Sequence, residues 1–288
     1  MEKSQERLKV LNRIAEYEKL GKFNIDVEDD KPAEEIRPKD VDYVNKKLSS
    51  KFLTFLANKL GTAFFESMIK KNKFIIKEVI GLENVADIKT GAIVTSNHFN
   101  IRDNYAIFRA LKPTFRKKQF LYKVIKDSNY TNFKGVVRLL MRHANTLPLS
   151  TNSETMRRFL DGISTLLKRG EKILIYPEQS MWWNYRKPRP FKPGAFKIAV
   201  NNNVPVIPAF IAMKDSDFID DDGFPVQEYY IKFFPPIYPD SSLTYSENVK
   251  MISQKNYDLW VKHYEAFYGE KLVFSTASAQ TEQTKELV

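Results

Sequence analysis

Residues 91–103, GAIVTSNHFNIRD, decide both the fold and the chemistry predicted for this chain. The apolar run after Gly91 has the length and composition of a buried strand. It ends in polar residues that include His98, and Asp103 begins a helix-like run five positions later. Side chains five apart on one helix diverge by about 140°, so His98 and Asp103 can meet only across a turn. The Asp103 carboxylate would then accept a hydrogen bond from one imidazole nitrogen and leave the other free to take a proton.

Strand-like and helix-like segments alternate from residue 74 to residue 234. This alternation predicts an α/β domain with a mostly parallel central sheet flanked by helices. In such a sheet the chemistry lies at the carboxyl edge, where strands run out into loops. Pro177 ends another apolar strand because proline cannot donate to a sheet ladder. Glu178 and Ser180 are therefore predicted at the same edge as His98.

The pattern of composition along the chain predicts four parts. Residues 1–40 comprise an N-terminal amphipathic helix and an acidic, proline-containing linker. Residues 41–73 form basic amphipathic helices, and residues 74–272 form the α/β domain. Residues 273–288 are a polar tail that we expect to be disordered.

Composition narrows the class of protein. The chain has no cysteine, which excludes disulfides and thiolate metal sites and favours a cytoplasmic setting. It has no apolar stretch of 18 residues and no apolar core near its N-terminus, so we expect neither a simple spanning helix nor a secretion signal. A net charge of +11 suits an acidic partner, namely nucleic acid, an anionic membrane or an acidic carrier protein.

Four stretches resemble the conserved boxes of one enzyme family. Residues 97–103, NHFNIRD, resemble the Asn-His-x-x-x-x-Asp box of the glycerolipid acyltransferase superfamily, which includes the 1-acylglycerol-3-phosphate acyltransferases. Later boxes follow in the family's order at residues 135–149, 176–181 and 190–212. The resemblance implies transfer of a fatty acyl chain from acyl-CoA or acyl carrier protein to a hydroxyl of a lysophospholipid such as 1-acylglycerol-3-phosphate. It gives His98 the role of general base and Asp103 that of fixing the imidazole tautomer, with no metal and no cofactor beyond the acyl donor.

The resemblance also indicates residues that contact or position the substrates. Ser96 and Asn97 are candidates for positioning the backbone beside His98. The predicted substrate-binding residues are Asn97, Glu178, Ser180, Arg186, Lys187, Arg189, Lys192 and Gly194.

Two departures from the family pattern bear on the acceptor. Met181 and Thr151 stand where the family has arginines, and methionine cannot pair with a phosphate. Two alternatives follow: nearby basic residues replace the missing arginines, or the acceptor is a glycolipid or another phosphate-poor lipid. The nearby basic residues are Arg186, Lys187 and Arg189.

An aromatic run beside Met181 supports the second alternative. Trp182, Trp183 and Tyr185 would suit a flat platform of the kind that sugar rings favour. The same residues beside a lipid site are equally typical of anchors in a membrane interface.

Residues 41–73 combine an apolar, aromatic stripe with flanking lysines. This pattern fits helices that pack on the domain and helices that lie in a membrane interface. The resemblance implies the second, because the region before the first box docks on the bilayer in that family. We therefore predict a cytoplasmic protein bound peripherally to the anionic inner face of the cell membrane.

Parts of the sequence also fit other classes of function. The basic, aromatic-rich stretch at residues 112–126 is typical of nucleic-acid binders, but also of a basic strand near a phosphate or a docking face for acyl carrier protein. We favour the latter and expect no nucleic-acid partner. A non-catalytic basic membrane-binding module is the alternative from another class, and the intact His98 and Asp103 argue against it. A hydrolase is disfavoured because no serine lies in a nucleophile-elbow context.

Overall fold

A computed structural model describes residues 2–117 and 119–276 of the chain. Its strands are β1 (Ile75–Ile80), β2 (Ala92–Thr95), β3 (Leu121–Ile125), β4 (Thr146–Pro148), β5 (Lys172–Ile175), β6 (Val206–Ile219) and β7 (Pro225–Phe233). Its α-helices are α1 (Gln5–Lys19), α2 (Leu48–Lys70), α3 (Asp103–Leu111), α4 (Asp127–Thr131), α5 (Gly135–His143), α6 (Ser153–Lys168), α7 (Gly194–Asn201) and α8 (Tyr245–Tyr268).

The strands form one sheet in the order β1-β7-β6-β2-β5-β3-β4. The five strands from β6 to β4 are parallel, β7 is antiparallel to β6, and β1 is parallel to β7. The predicted mostly parallel sheet flanked by helices is thus confirmed. Strand β2 is fully buried because helices cover both faces of the sheet, which explains its uniformly small and apolar sequence.

Two apolar cores lie on opposite faces of the sheet. On one face, α3 and the C-terminal half of α2 pack against Val94, Leu174 and Tyr176. On the other face, α6, α7 and α8 pack against Ile93 and Ile173. The alternation of neighbouring residues between faces follows from the two-residue period of a strand. It places Tyr176, at the end of β5, on the face that carries α2 and α3.

The N-terminal helix α1 packs over the carboxyl edge of the sheet. The Ser4 hydroxyl caps its first turn. Val10 and Ile14 of α1 contact the cluster that contains Trp182 and Trp183. Apolar periodicity predicted this helix, and its packing partner lies in the third box of the resemblance.

Residues 21–40, the predicted acidic linker, contain neither helix nor strand but are fixed along the domain; we call them the strap. Val27 and Ile36 of the strap are buried. Lys126 pairs with both Asp26 and Asp30, at 2.7 and 2.8 Å. Buried apolar side chains and ion pairs therefore hold the strap in place.

The predicted helices of residues 41–73 are a single helix, α2, that continues through Gly61. A glycine in a helix interior costs only about 1 kcal/mol relative to alanine, which packing on a neighbouring helix offsets. A side chain at Gly61 would contact Leu140 of α5 at 3.5 Å, so the two helices lie close together there.

Four residues of the predicted disordered tail, 273–276, are ordered against the N-terminal region. The Ser275 N–H donates to the Glu18 carboxylate at 2.8 Å, and Phe274 contacts Phe23 with ring centroids 4.6 Å apart. The remainder of the predicted tail lies outside the described residues. Within the described ranges, no helix has the length and hydropathy needed to cross a membrane.

Candidate active site

The structure brings His98 and Asp103 together across the predicted turn. His98 lies in the loop after β2, and Asp103 is the first residue of α3. The His98 Nδ1 and Asp103 Oδ2 atoms are 3.0 Å apart. The N–H groups of Phe99 and Asn100 also donate to Oδ2, each at 2.8 Å, so the backbone of the turn fixes the carboxylate. With Nδ1 donating to Asp103, the other imidazole nitrogen, Nε2, is left to act as a base.

Tyr176 fixes the plane of the His98 imidazole. The two rings are stacked, with centroids 3.9 Å apart and planes within 8°. The Tyr176 hydroxyl donates to Asn104 Oδ1 at 3.2 Å. Burial, and next the Asp103 carboxylate, hold the pKa of Tyr176 well above its usual value, so it remains a neutral stacking partner. Sequence analysis missed this residue, although its position at the end of a strand one place before Pro177 could have indicated it.

Asn97 anchors the loop between β2 and α3, which carries His98 and is called the catalytic loop below. Its side chain is not free to contact substrate, contrary to the prediction. Its amide donates to the Ile211 carbonyl at 2.9 Å and accepts from the Ile211 N–H at 2.8 Å. The side chain thus extends the pairing of β2 with β6. Ser96 is also buried, and its hydroxyl donates to the Asn97 carbonyl at 3.2 Å. Both residues hold the backbone that precedes His98, as the prediction for positioning residues required.

Glu178 and Arg189 form a buried ion pair beneath the catalytic loop. Arg189 Nη2 donates to Glu178 Oε2 at 2.9 Å, and the Arg189 backbone N–H donates to Oε1 at 2.8 Å. The same Oε2 accepts from the His98 N–H at 3.2 Å. The side chains are only 2% and 1% exposed. Glu178 therefore ties the third box to the catalytic loop and does not face an acceptor.

Arg189 cannot supply charge to an acceptor phosphate. Its Nη1 donates to the Ser180 hydroxyl at 2.6 Å and to the Phe23 carbonyl of the strap at 2.9 Å. Its Nη2 donates to the Ser180 carbonyl as well as to Glu178. All of these partners are internal, so the predicted substrate contacts of Arg189 and Ser180 are replaced by a network that holds the strap against the third box.

The other predicted basic residues are also engaged within the chain. Arg186 pairs with Asp215 at 3.1 Å, and Lys187 pairs with Glu18 of α1 at 2.7 Å. The Lys192 backbone N–H donates to the Pro177 carbonyl at 2.8 Å and so closes the loop that follows β5. Arg186 and Lys187 are thus paired within the chain, and their contact with an acceptor phosphate stays a prediction.

Gly194, the last of the predicted substrate-binding residues, begins α7 at an exposed position. A side chain at this position would meet no atom within 4 Å. Packing within the chain therefore leaves room for a larger residue than glycine at this position.

The aromatic run beside Met181 does not form an exposed platform. Trp182 is fully buried and Trp183 nearly so, because α1 covers them. The Trp182 indole N–H donates to the Ile25 carbonyl of the strap at 2.9 Å. Burial of both rings excludes the predicted contact with a sugar and equally excludes membrane anchoring by these rings.

Met181 lines a small cleft between the catalytic loop, the β6–β7 hairpin and α1, about 100 Å³ in volume. The cleft contains two arginines, and each is already paired. Arg102 pairs with Asp220 at 2.5 Å, and Arg7 pairs with Glu28 at 2.6 Å. Met181 thus has no unpaired arginine beside it among the residues that line this cleft.

Lys123 is a cation that sequence analysis placed only within a basic stretch. It lies on β3 in register with Leu174, so its side chain points to the sheet face that carries Leu174 and Tyr176. Burial lowers the pKa of Lys123 to about 8. Across residues 2–117 and 119–276, no carboxylate lies within salt-bridge distance of it. An unpaired, partly desolvated ammonium on the face of the catalytic histidine is suited to an anionic ligand.

Comparison with known proteins supports the class of enzyme that this site defines. Residues 77–212 match the family model described as Acyltransferase. No curated protein matches the chain. Among solved structures, the chain is similar to the 1-acyl-sn-glycerophosphate (LPA) acyltransferase PlsC from Thermotoga maritima, with 17% identity over 88% of this chain and 93% of that one. The TM-score of that pair is 0.47.

The matched segment contains every member of the site: the histidine–aspartate pair, the stacking tyrosine, the buried ion pair and Lys123. An α/β domain with this pair at its carboxyl edge and this family match is an O-acyltransferase. The match of residues 77–212 to this family model agrees with the acyltransferase resemblance found in the sequence.

Proposed function

We propose that this enzyme transfers a fatty acyl chain from acyl-CoA or acyl carrier protein to a hydroxyl of a lysophospholipid such as 1-acylglycerol-3-phosphate, in phospholipid biosynthesis. The observation that carries the proposal is the 3.0 Å contact between His98 Nδ1 and a carboxylate that two backbone N–H groups also hold. The side chain of His98 is 17% exposed, so Nε2 is open to an acceptor.

The geometry supports a direct transfer. His98 Nε2 takes the proton of the acceptor hydroxyl as its oxygen attacks the thioester carbonyl carbon. The C–S bond then breaks, and the imidazolium returns the proton to the leaving thiolate. Asp103 stabilises the imidazolium between these two steps, and Tyr176 keeps the ring in one plane. General-base catalysis of this kind supplies roughly 10²–10⁴-fold.

Lys123 supports an acceptor that carries phosphate. It replaces in function the arginines that the family has at Met181 and Thr151, although it lies on a different strand. A hydrogen bond to a charged group contributes about 1.5–3 kcal/mol, which corresponds to roughly ten- to hundred-fold in specificity.

We expect Lys123→Gln to lower kcat/KM on lysophosphatidate by about ten- to hundred-fold and to change little on a monoacylglycerol. The measurement is steady-state transfer from a labelled acyl thioester to each acceptor. Lys197→Gln is the matched control, because Lys197 is an exposed lysine of α7. Equal losses on both acceptors would refute the phosphate contact.

The same residue predicts a pH dependence. Because the pKa of Lys123 is about 8, its charge is present below that pH and is lost above it. The KM for lysophosphatidate should therefore rise as the pH increases beyond about 8 in the wild type. In the Lys123→Gln variant the KM for lysophosphatidate should be higher than in the wild type and should not change with pH over the same range.

A phosphate-poor acceptor, such as a glycolipid, is the second candidate, and Met181 with its paired neighbours favours it. Under this candidate the wild type prefers the phosphate-free acceptor, and Met181→Arg gains activity on lysophosphatidate. An acceptor screen analysed by mass spectrometry separates the two candidates. Preference for lysophosphatidate together with sensitivity to Lys123→Gln would support the first.

We further propose that α2 holds the enzyme on the cytoplasmic face of an anionic membrane. Large apolar side chains protrude from its N-terminal half, with Leu48 82%, Phe52 65% and Phe55 64% exposed. Lys51 and Lys59 are exposed beside them. The C-terminal half of α2 packs on the sheet face that carries Tyr176, so the apolar side chains lie on the side of the site. A lipid acceptor would reach the site from that side.

The double variant Phe52→Ser/Phe55→Ser should sediment with anionic vesicles at least tenfold more weakly than the wild type. Burying one large apolar side chain contributes about 1.5–3 kcal/mol, and the loss of both should leave the fold intact because both are exposed. Added salt should weaken binding further, since each lysine contributes about 1 kcal/mol that is screened. Leu160→Ser, at an exposed position on the opposite face, is the control. Vesicle binding that neither salt nor the double variant alters would show that α2 is not the anchor.

A further inference from the structure

One oxygen of the catalytic carboxylate has no visible partner. Asp103 Oδ2 accepts from His98 and from two backbone N–H groups, but Oδ1 is buried and has no hydrogen-bond partner among the described residues. A buried charged oxygen without a donor is costly. The structure should therefore contain a donor close to Oδ1.

The hydroxyl of Tyr229, on β7, is the complementary group. It too is buried and without a partner in the described part of the chain. The Tyr229 ring packs against Phe99 with centroids 5.1 Å apart, and the Phe99 N–H is one of the donors to Asp103. Tyr229 and Asp103 are thus neighbours on the two sides of the same turn.

The negative charge of Asp103 acts on the hydroxyl of Tyr229. Burial and then the Asp103 carboxylate hold the pKa of Tyr229 well above its usual value, against a smaller opposing effect of Arg102. The hydroxyl therefore keeps its proton and is available as a donor. Asp103 Oδ1 is an acceptor and the Tyr229 hydroxyl is a donor. Both are buried without a partner among the described residues, and both lie beside Phe99, so they are suited to bond with each other.

We propose that the Tyr229 hydroxyl donates a hydrogen bond to Asp103 Oδ1 and is a positioning residue for the catalytic pair. The inference rests on the acyl-transfer function proposed above. A carboxylate that shares its charge with a hydroxyl is a weaker acceptor for the imidazolium, so the Tyr229 hydroxyl would weaken the electrostatic attraction of Asp103 for the His98 ring. It also fixes the carboxylate against rotation away from Nδ1.

Apart from Lys123, which has no carboxylate partner among the described residues, the other charged and titratable groups around the pair are internally paired or neutral. They are Glu178 with Arg189, Arg102 with Asp220, and the neutral Tyr176. None of these pairs donates to Asp103 Oδ1. Tyr229 is accordingly the group whose removal changes that oxygen without disturbing another ion pair.

The test is Tyr229→Phe, which keeps the buried ring and removes the hydroxyl. We expect kcat to fall roughly tenfold with KM for both substrates nearly unchanged, and the acid limb of the kcat/KM profile to move to higher pH. Tyr105→Phe is the control, because Tyr105 lies in the same core but donates to Glu66 at 2.9 Å. It should leave the acid limb unchanged. A Tyr229→Phe enzyme with wild-type kcat and an unmoved acid limb would overturn the proposal.

Thermal unfolding supplies a readout that does not require acyl transfer. If the hydroxyl bonds to Asp103, Tyr229→Phe lowers Tm, and it lowers Tm less in the Asp103→Asn background. If the hydroxyl is unpartnered, its removal leaves Tm unchanged or raises it, and the proposal fails. If Tyr229→Phe lowers Tm but the wild type transfers no acyl group, the hydrogen bond is upheld and the proposed function is refuted.

Discussion

His98→Ala is expected to reduce acyl transfer to about 1% of the wild-type rate or less. The general base contributes roughly 10²–10⁴-fold, and no other imidazole lies at the carboxyl edge among the described residues. Asp103→Asn should also lower kcat by orders of magnitude while KM stays near normal, because an amide does not stabilise the imidazolium and favours the wrong tautomer. Transfer of a labelled acyl group by purified enzyme measures both effects.

The control for this prediction is His143→Ala. His143 ends α5, and burial lowers its pKa, so it is neutral and has no carboxylate partner among the described residues. Its replacement should leave turnover close to that of the wild type. The assignment of the base would be wrong if His98→Ala kept more than a few per cent of the activity.

The largest effect on stability is expected at the Glu178–Arg189 pair. Arg189→Met leaves a buried carboxylate without its cation, and breaking such a pair costs about 3–5 kcal/mol. The corresponding fall in Tm is roughly 10 °C. Glu178→Gln should be comparably destabilising, whereas the double variant should recover part of the loss because no unpaired charge remains. Denaturant unfolding followed by fluorescence measures all three variants.

Arg186→Met provides the comparison for the buried pair. Arg186 pairs with Asp215 at the surface, where both side chains are about half exposed, and such pairs contribute about 0–1 kcal/mol. An Arg189→Met enzyme within about 1 kcal/mol of the wild type would show that the buried pair is not a structural requirement. Because Glu178 also accepts from the His98 N–H, we expect the destabilised variants to lose activity as well.

These variants separate two kinds of residue at the same edge of the sheet. In the proposed mechanism His98 and Asp103 do the chemistry, and Tyr176 holds the imidazole ring in plane. Glu178, Ser180 and Arg189 hold the third box and the strap against the catalytic loop. The strap thus contributes to the geometry of the site through main-chain carbonyls, which have no sequence pattern of their own.

Sequence alone determined the parts of this protein that depend on local structure. The strand before His98 and the helix that begins at Asp103 are visible as an apolar run and an amphipathic run. The two residues are five positions apart and can meet only across a turn, and the resemblance of residues 97–103 to a family box then marked them as the catalytic pair. The alternation of strands and helices likewise fixed a mostly parallel sheet, because parallel neighbours need a crossover between them.

Tertiary structure decided which charges were free and which surfaces were exposed. Arg189 and Lys123 are both basic residues in a basic chain, but Arg189 is neutralised by Glu178, whereas Lys123 has no acidic partner in the described ranges. The sequence allows Trp182 to be either an exposed platform or a buried core residue, and it is buried because α1 packs over it. Contacts between segments as far apart as Phe23 and Arg189, separated by 166 positions, arise from packing and not from neighbouring residues. Local pattern therefore gave the catalytic pair, and only long-range packing distinguished the residues that support it from those that can meet an acceptor.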